Sequence, residues 1–185
     1  MLLAGVLLTG GASRRMGTDK ASIVRNGETL AARAARVLSA VCDPVIEVGT
    51  GVSGLPAIQE DPPYAGPLVA LIAGRRALGD PRQILLLACD LPLVEAPLLR
   101  VLAEWPGAGS VIPVVDGRLQ YVCARYGAAA LDAGEVARRA GDASLRAIAD
   151  VDATYVTEAD WGAVATPQSF ADVDTPDDLR RLALE

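Results

Sequence analysis

Three glycines, two arginines and a lysine crowd the stretch after the first apolar run. It reads Leu7-Leu8-Thr9-Gly10-Gly11-Ala12-Ser13-Arg14-Arg15-Met16-Gly17-Thr18-Asp19-Lys20. Glycine has no Cβ, so Gly10 and Gly11 let backbone N–H groups approach an anion closely. Arg14 and Arg15 suit bidentate phosphate contact, and Lys20 supplies a compact point charge. These residue types, in that order, suit a polyphosphate. They also fit an ordinary strand–helix loop with exposed arginines. The spacing is not that of a P-loop, nor of a dinucleotide fingerprint.

Carboxylates supply the other half of the chemistry. Asp90 closes the most apolar run, Gln83 to Ala88, in Cys89-Asp90-Leu91-Pro92-Leu93. A carboxylate there can hold Mg²⁺ together with substrate phosphates, because Mg²⁺ keeps most of its waters and needs one or two protein carboxylates. It equally suits a turn or helix cap before Leu91-Pro92. Asp61 stands in Asp61-Pro62-Pro63, ahead of Gly66-Pro67, where Asp-Pro also starts turns. Asp172 and Asp174 flank Val173, so an extended segment points both to one face, within reach of a metal. Alternatively, Asp174 adds negative charge near the start of the last helix. Tyr64 and Tyr121 are candidates for the pocket wall.

These residues need a scaffold. Gly5 to Thr9 reads as a buried strand, apolar on both faces. Asn26-Gly27 marks a turn. A helix is predicted from Thr29 to Ala40, a strand over Val45 to Val48 and a short strand at Ala57-Ile58. Pro67 opens a helix to about Leu78. Gln83 to Ala88 is the central strand, and a helix spans Ala96 to Trp105. Ser110 to Val115 and Leu119 to Arg125 read as two strands joined by Asp116-Gly117-Arg118. Ala128 to Ala140 is helical, interrupted near Gly134. A short helix follows from Ser144 to Asp150, then an edge strand over Thr154 to Thr157. Thr175, Pro176 and Asp178 form a capping pattern for a last helix. Alternating strands and helices imply an α/β fold, a mostly parallel sheet with helices on both faces and an antiparallel strand in the second half. In such a sheet, ligands sit beyond the carboxyl ends of the strands, where the Gly10–Lys20 loop, Asp61 and Asp90 all fall.

Composition narrows the chemistry. The chain has 185 residues, 51% hydrophobic and only 4% aromatic, which predicts one domain, residues 1–185, with an Ala, Leu and Val core. A net charge of −6 argues against coating nucleic acid or an anionic membrane. There is no histidine, which excludes Ser-His-Asp and Cys-His catalysis. Three scattered cysteines, Cys42, Cys89 and Cys123, make a zinc site or disulfide framework unexpected and suggest core packing. Trp105 and Trp161 are expected to pack rather than stack on bases. The apolar N-terminus lacks a basic n-region and is broken by Gly5, so it is not read as a signal peptide. A cytoplasmic location is expected.

The Leu8-to-Lys20 stretch resembles the signature of molybdenum cofactor guanylyltransferases, part of a nucleotidyltransferase group with a three-layer Rossmann-like fold. The resemblance extends to Asp61 with Gly66-Pro67-Leu68, to Cys89-Asp90-Leu91-Pro92-Leu93, and to Asp174-Thr175-Pro176-Asp177-Asp178-Leu179. It implies transfer of GMP from GTP to molybdopterin, with release of pyrophosphate. It further implies that Leu8, Thr9, Gly10, Gly11, Arg15, Lys20, Asp61 and Asp90 bind the nucleotide. Lys20 and Asp90 would be the catalytic pair and Asp90 the Mg²⁺ ligand. Other molybdenum cofactor enzymes are possible partners. Two departures stand out. Thr9 occupies a position usually held by alanine. Asp172 and Asp174 replace asparagines usual in the guanylyl branch, and acids there are more typical of cytidylyl-type relatives. The alternative reading is thus a cytidylyl- or other nucleotidyltransferase; a nucleotide-binding adaptor without transfer activity is a further one.

Overall fold

The computed structural model describes residues 3–10, 20–173 and 178. The chain begins with β1 (Leu3–Leu8), a short 3-10 turn (Lys20–Ser22) and a hairpin of β2 (Val24–Arg25) and β3 (Glu28–Thr29). It continues through α1 (Leu30–Ser39), β4 (Cys42–Val48), β5 (Ala57–Ile58), α2 (Pro67–Ala77), β6 (Gln83–Ala88) and α3 (Ala96–Glu104). The second half carries β7 (Ser110–Val115), β8 (Arg118–Leu119), β9 (Cys123–Gly127), α4 (Ala128–Arg139), β10 (Ala153–Val156) and α5 (Glu158–Trp161). The predicted last helix lies outside the described residues, apart from helical Asp178.

The main sheet runs β10-β7-β9-β6-β1-β4-β5, with β8 paired to β7. Strands β5, β4, β1 and β6 are parallel, and β9 enters antiparallel between β6 and β7. This is the mostly parallel sheet with an antiparallel strand that the sequence predicts. From β1 the chain goes to β4 on one side and later returns to β6 on the other. A crevice therefore opens at the carboxyl end of β1, where the direction of winding reverses.

Strand alternation divides the core. Leu7, Leu85 and Leu87 face a layer with α1 and α3, where Leu38, Leu98 and Leu102 are buried. Val6, Leu8, Ile84 and Leu86 face the opposite layer with α2 and α4, among Leu68, Leu71, Ile72 and Leu131. At about 1.5–3 kcal/mol for each fully buried aliphatic side chain, the two layers dominate the stability of the sheet. All three cysteines are buried, and none forms a disulfide. Burial pushes the Cys42 and Cys123 thiols up to about 12, which suits core packing. Trp161 is fully buried edge-on to Phe170, with ring centroids 5.2 Å apart. No helix among the described residues is long and apolar enough to cross a membrane.

Two local expectations are corrected. The run Leu119 to Arg125 is not one strand. Arg118–Leu119 pairs with β7; the chain then turns, with Cys123 N–H donating to Gln120 O at 3.3 Å, before β9 pairs with both β6 and β7. Helix α4 also runs unbroken through Gly134. A Cβ there would stand 3.0 Å from Ile72 Cδ1, so the glycine permits close packing on α2 rather than breaking the helix.

Two buried charges hold irregular backbone. Arg125, on β9, donates to Ala103 O (3.0 Å), Trp105 O (2.8 Å), Gly107 O (3.1 Å) and Gly109 O (3.2 Å). Its guanidinium thus gathers carbonyls of the last turn of α3 and of the loop beyond it, which lack a partner within the helix. Glu47, on β4, is fully buried. It accepts N–H bonds from Gly51 (2.6 Å), Val52 (3.1 Å) and Ser53 (2.8 Å), and the Thr9 hydroxyl donates to it as well. Burial alone would raise its pKa, but bonds from Ser53, Thr9 and the backbone outweigh this and hold it below the usual carboxylate value.

Replacing Arg125 by lysine keeps the charge but loses the fork, and should cost about 2–4 kcal/mol in urea unfolding. A change under about 0.5 kcal/mol would refute the role of the fork, since surface-like substitutions lie in that range. For Glu47→Gln, the amide NH₂ would face backbone donors, costing about 1–3 kcal/mol at pH 7. Glu47 has a folded pKa below the unfolded value of 4.5, so its stabilisation is complete above that value and fades as pH falls through the folded pKa. The gap between wild type and variant, followed by denaturation at several pH values, should therefore shrink in acid.

Candidate functional site

The carboxyl end of β1 is tied on both sides. Thr9 N–H donates to Val48 O at 3.1 Å, and Cys89 N–H donates to Leu8 O at 3.0 Å. The Thr9 hydroxyl accepts from Thr50 N–H at 3.2 Å while donating to Glu47. An alanine at position 9 would have neither bond, so the threonine is matched to the buried acid beneath it. Gly49, at φ +146°, lies against this turn; a Cβ there would sit 2.3 Å from Thr9 Oγ1 and 2.4 Å from Gly10 N. Any other residue would push the loop away from β1.

Lys20 and Asp90, distant in sequence, meet in space. Lys20 Nζ lies 3.7 Å from Asp90 Oδ2, with both side chains partly open to solvent. Asp90 stands two residues beyond β6, and its carbonyl accepts from Val173 N–H at 3.0 Å. That bond brings Asp172 alongside. Asp90 and Asp172 line one cavity of about 770 Å³, together with Tyr121, Arg118, Arg146 and Phe170. Arg146 lies over the Tyr121 ring, 5.8 Å from its centroid.

A second, smaller cavity of about 240 Å³ opens on the β4 side of the crevice. Leu8, Val48, Pro67 and Ala70 give it apolar walls, and Gly10, Gly66, Tyr64 and Glu60 complete it. Gly66 caps α2 at φ +120°, where a Cβ would meet Ala143 at 2.8 Å. Pro67 then starts the helix, as its fixed φ allows.

The sequence-derived candidates therefore separate into groups. Leu8, Thr9, Gly10, Lys20 and Asp90 gather around the crevice. Asp61 is exposed and lines neither cavity; its neighbour Glu60 does. Gly11, Arg14, Arg15 and Asp174 lie outside the described residues. Tyr64 and Tyr121 each line a cavity. Sequence reasoning passed over Glu47, Glu60, Arg118 and Arg146. The signal for Glu47 was a lone acid in Val45-Ile46-Glu47-Val48, a strand otherwise suited to burial on both faces.

The donor set is hard oxygen: Asp90 and Asp172 share a cavity, no histidine exists, and the thiols are buried. No group of three or more metal-ligating side chains occurs among the described residues. One or two carboxylates beside an open, polar cavity fit a cation that takes its remaining ligands from phosphate and water.

Known proteins match this arrangement. The MobA-like NTP transferase domain matches residues 5–159. A probable molybdenum cofactor guanylyltransferase of Chloroflexus aggregans is 32% identical over 97% of this chain and 93% of its own. The crystal structure of molybdopterin-guanine dinucleotide biosynthesis protein A from Archaeoglobus fulgidus superposes with a TM-score of 0.80 at 23% identity, covering 97% of this chain and 96% of that one. A manganese complex of a Mycobacterium tuberculosis protein has a TM-score of 0.68 at 21% identity, covering 98% of each chain. By its sequence this chain belongs to the MobA-like NTP transferase family and is a nucleotidyltransferase.

Proposed function

We propose that this chain is a cytoplasmic, Mg²⁺-dependent guanylyltransferase that transfers GMP from GTP to molybdopterin and releases pyrophosphate. The observation that carries the reading is the Lys20–Asp90 pair at 3.7 Å, with Asp90 in the wall of the larger, polar cavity and a smaller, largely apolar cavity bordered by Leu8 and Gly10. The small cavity would take the base. The triphosphate would pass over Gly10 toward Lys20, and the larger cavity would take the acceptor. The relatives' names and coverage support the substrate pair.

The chemistry asks little of the protein beyond position and charge. An oxygen of the acceptor's terminal phosphate attacks the α-phosphorus of GTP. A new P–O bond forms, the bond to the β-phosphate oxygen breaks, and pyrophosphate leaves with the electron pair. The attacking oxygen is already anionic, so the reaction runs without a histidine base. Lys20 would hold the leaving phosphates as a point charge. Asp90, with Asp172 beside it, would hold Mg²⁺, which when bound neutralises phosphate charge. On the acceptor side, Arg118 and Arg146 offer cations and Tyr121 a flat face for a pterin ring.

A second reading, cytidylyl transfer, is favoured only by the acidic Asp172 and Asp174. Pyrophosphate release with GTP, CTP and ATP, each in the presence of molybdopterin, separates the two. Release with GTP alone is expected, and release with CTP alone would overturn the guanylyl reading.

Asp90→Asn preserves shape and removes charge. It should lower kcat about a thousandfold while circular dichroism and Tm stay near wild type. Survival of more than a tenth of the activity would remove Asp90 from the metal site. Arg146→Ala should raise KM for the acceptor about tenfold and leave KM for GTP unchanged. Equal effects on both substrates would mean the larger cavity is not the acceptor's.

A further inference from the structure

Three segments that carry residues of the site meet in a small apolar cluster, apart from the two core layers. Leu30 and Val173 are buried in it, with Ile23 and Leu93 packed against them. Ile23 belongs to the segment of Lys20, and its N–H donates to Lys20 O at 3.1 Å. Leu30 opens α1, and its N–H donates to Ile23 O at 2.9 Å. Leu93 follows Asp90 in Asp90-Leu91-Pro92-Leu93. Arg33 braces that segment from α1, donating to Val94 O at 2.8 Å and pairing with Glu95. Val173 comes from the far end of the chain, and its N–H donates to Asp90 O at 3.0 Å.

Residues 172 and 173 divide between two environments. Val173 has no exposed surface, whereas Asp172 is exposed and lines the 770 Å³ cavity with Asp90. The backbone enters this stretch extended, with Ala171 at φ −70° and ψ 124°. In extended backbone, neighbouring side chains point to opposite faces, so seating one aims the other. Two ionised carboxylates at one cavity also repel each other. A segment that brings an acid beside another acid needs an anchor that is not electrostatic. One backbone hydrogen bond is a modest anchor, and a fully buried valine adds an apolar one. The seat of that valine is built from the segments of Lys20 and Asp90 themselves, so it fixes Asp172 relative to both.

We infer that Val173 is a positioning residue for the cation site, its side chain seated on Leu30, Ile23 and Leu93 so that the Asp172 carboxylate is held beside Asp90. The assignment rests on the nucleotidyltransferase reading, in which these two acids hold the metal together with substrate phosphate, and adds the residue that fixes the second acid. With no exposed surface, Val173 reaches no ligand and acts through Asp172. Its effect on metal binding therefore vanishes once Asp172 has lost its charge. A general contribution to the fold would add to that loss instead.

The test reads the gain in GTP affinity on adding Mn²⁺, by calorimetric titration with and without the metal and without acceptor. It compares wild type, Val173→Gln, Val173→Ile, Asp172→Asn and the double variant Asp172→Asn/Val173→Gln. Glutamine brings a polar amide into the apolar seat, and isoleucine keeps the seat apolar. Asp172→Asn should cut the gain about tenfold, Val173→Gln by as much, and the double variant no further than either. Val173→Ile should match wild type. Should glutamine unfold the chain, Val173→Ala takes its place, with an expected loss of about threefold. An undiminished gain in Val173→Gln, or in Val173→Ala where that stands in, overturns the inference. So does a further tenfold loss on adding Val173→Gln to Asp172→Asn, which would make Val173 a brace of the fold. An undiminished gain in Asp172→Asn removes that acid from the cation site and overturns the inference while leaving nucleotidyl transfer intact. Wild type binding no GTP with or without Mn²⁺ overturns the functional reading and this inference together.

Discussion

The carboxylate of Glu47 is the constraint on which the crevice depends. It sits in a parallel strand with no exposed surface, where an unpaired charge would cost several kcal/mol. The chain satisfies it by folding residues 50–53 back so that three N–H groups converge on its two oxygens. The same carboxylate takes the Thr9 hydroxyl, and Thr9 in turn accepts from Thr50. One buried acid thereby sets the shape of the loop after β4 and the exit of the chain from β1. Gly10 inherits its position from that network. Gly49 makes the contact sterically possible, since no side chain fits between the two loops.

Much of the frame was legible in the sequence because it rests on local signals. Val6-Leu7-Leu8 and Ile84-Leu85-Leu86-Leu87 could only be buried strands, and Pro67 could only begin a helix. Asp90 stood out because it follows such a strand, and Lys20 because it closes the glycine-rich loop after another. The fold then brings them together, since parallel strands put their carboxyl ends on one edge. Glu47 was illegible for the opposite reason. Its importance comes from partners supplied by a segment far away and by the turn that encloses it. The misread strand before Arg125 has the same cause. Local composition marks Leu119 to Arg125 as extended, but a turn at residues 120–122 splits the run into β8 and β9. Gly134 looked like a break because helix propensity was weighed without the neighbouring helix that needs the space.

The overall charge of −6 and the anionic substrates proposed for the site are reconciled by geometry. Several arginines are occupied elsewhere. Arg76 is engaged with Glu135, Arg36 with Glu28 and Arg125 with backbone carbonyls. Lys20, Arg118 and Arg146 border the crevice instead. Local potential, rather than net charge, governs an anionic ligand in a confined site.

The two cavities also bear on the acids that set this chain apart from the guanylyl pattern. Asp172 borders the larger cavity, held there through the bond from Val173 N–H to Asp90 O. Glu60 borders the smaller one, on the other side of the β1 turn. A charge beside Asp90 acts on phosphate and cation, where Coulomb attraction is short-ranged and screened by solvent. It would have no edge-on contact with a base placed, as proposed, against Leu8 and Val48. On the proposed function, the acid at position 172 would act on metal and acceptor, and base choice would rest with the small cavity. On that proposal, an acid at position 172 is compatible with guanylyl transfer, because its charge lies away from the cavity proposed for the base.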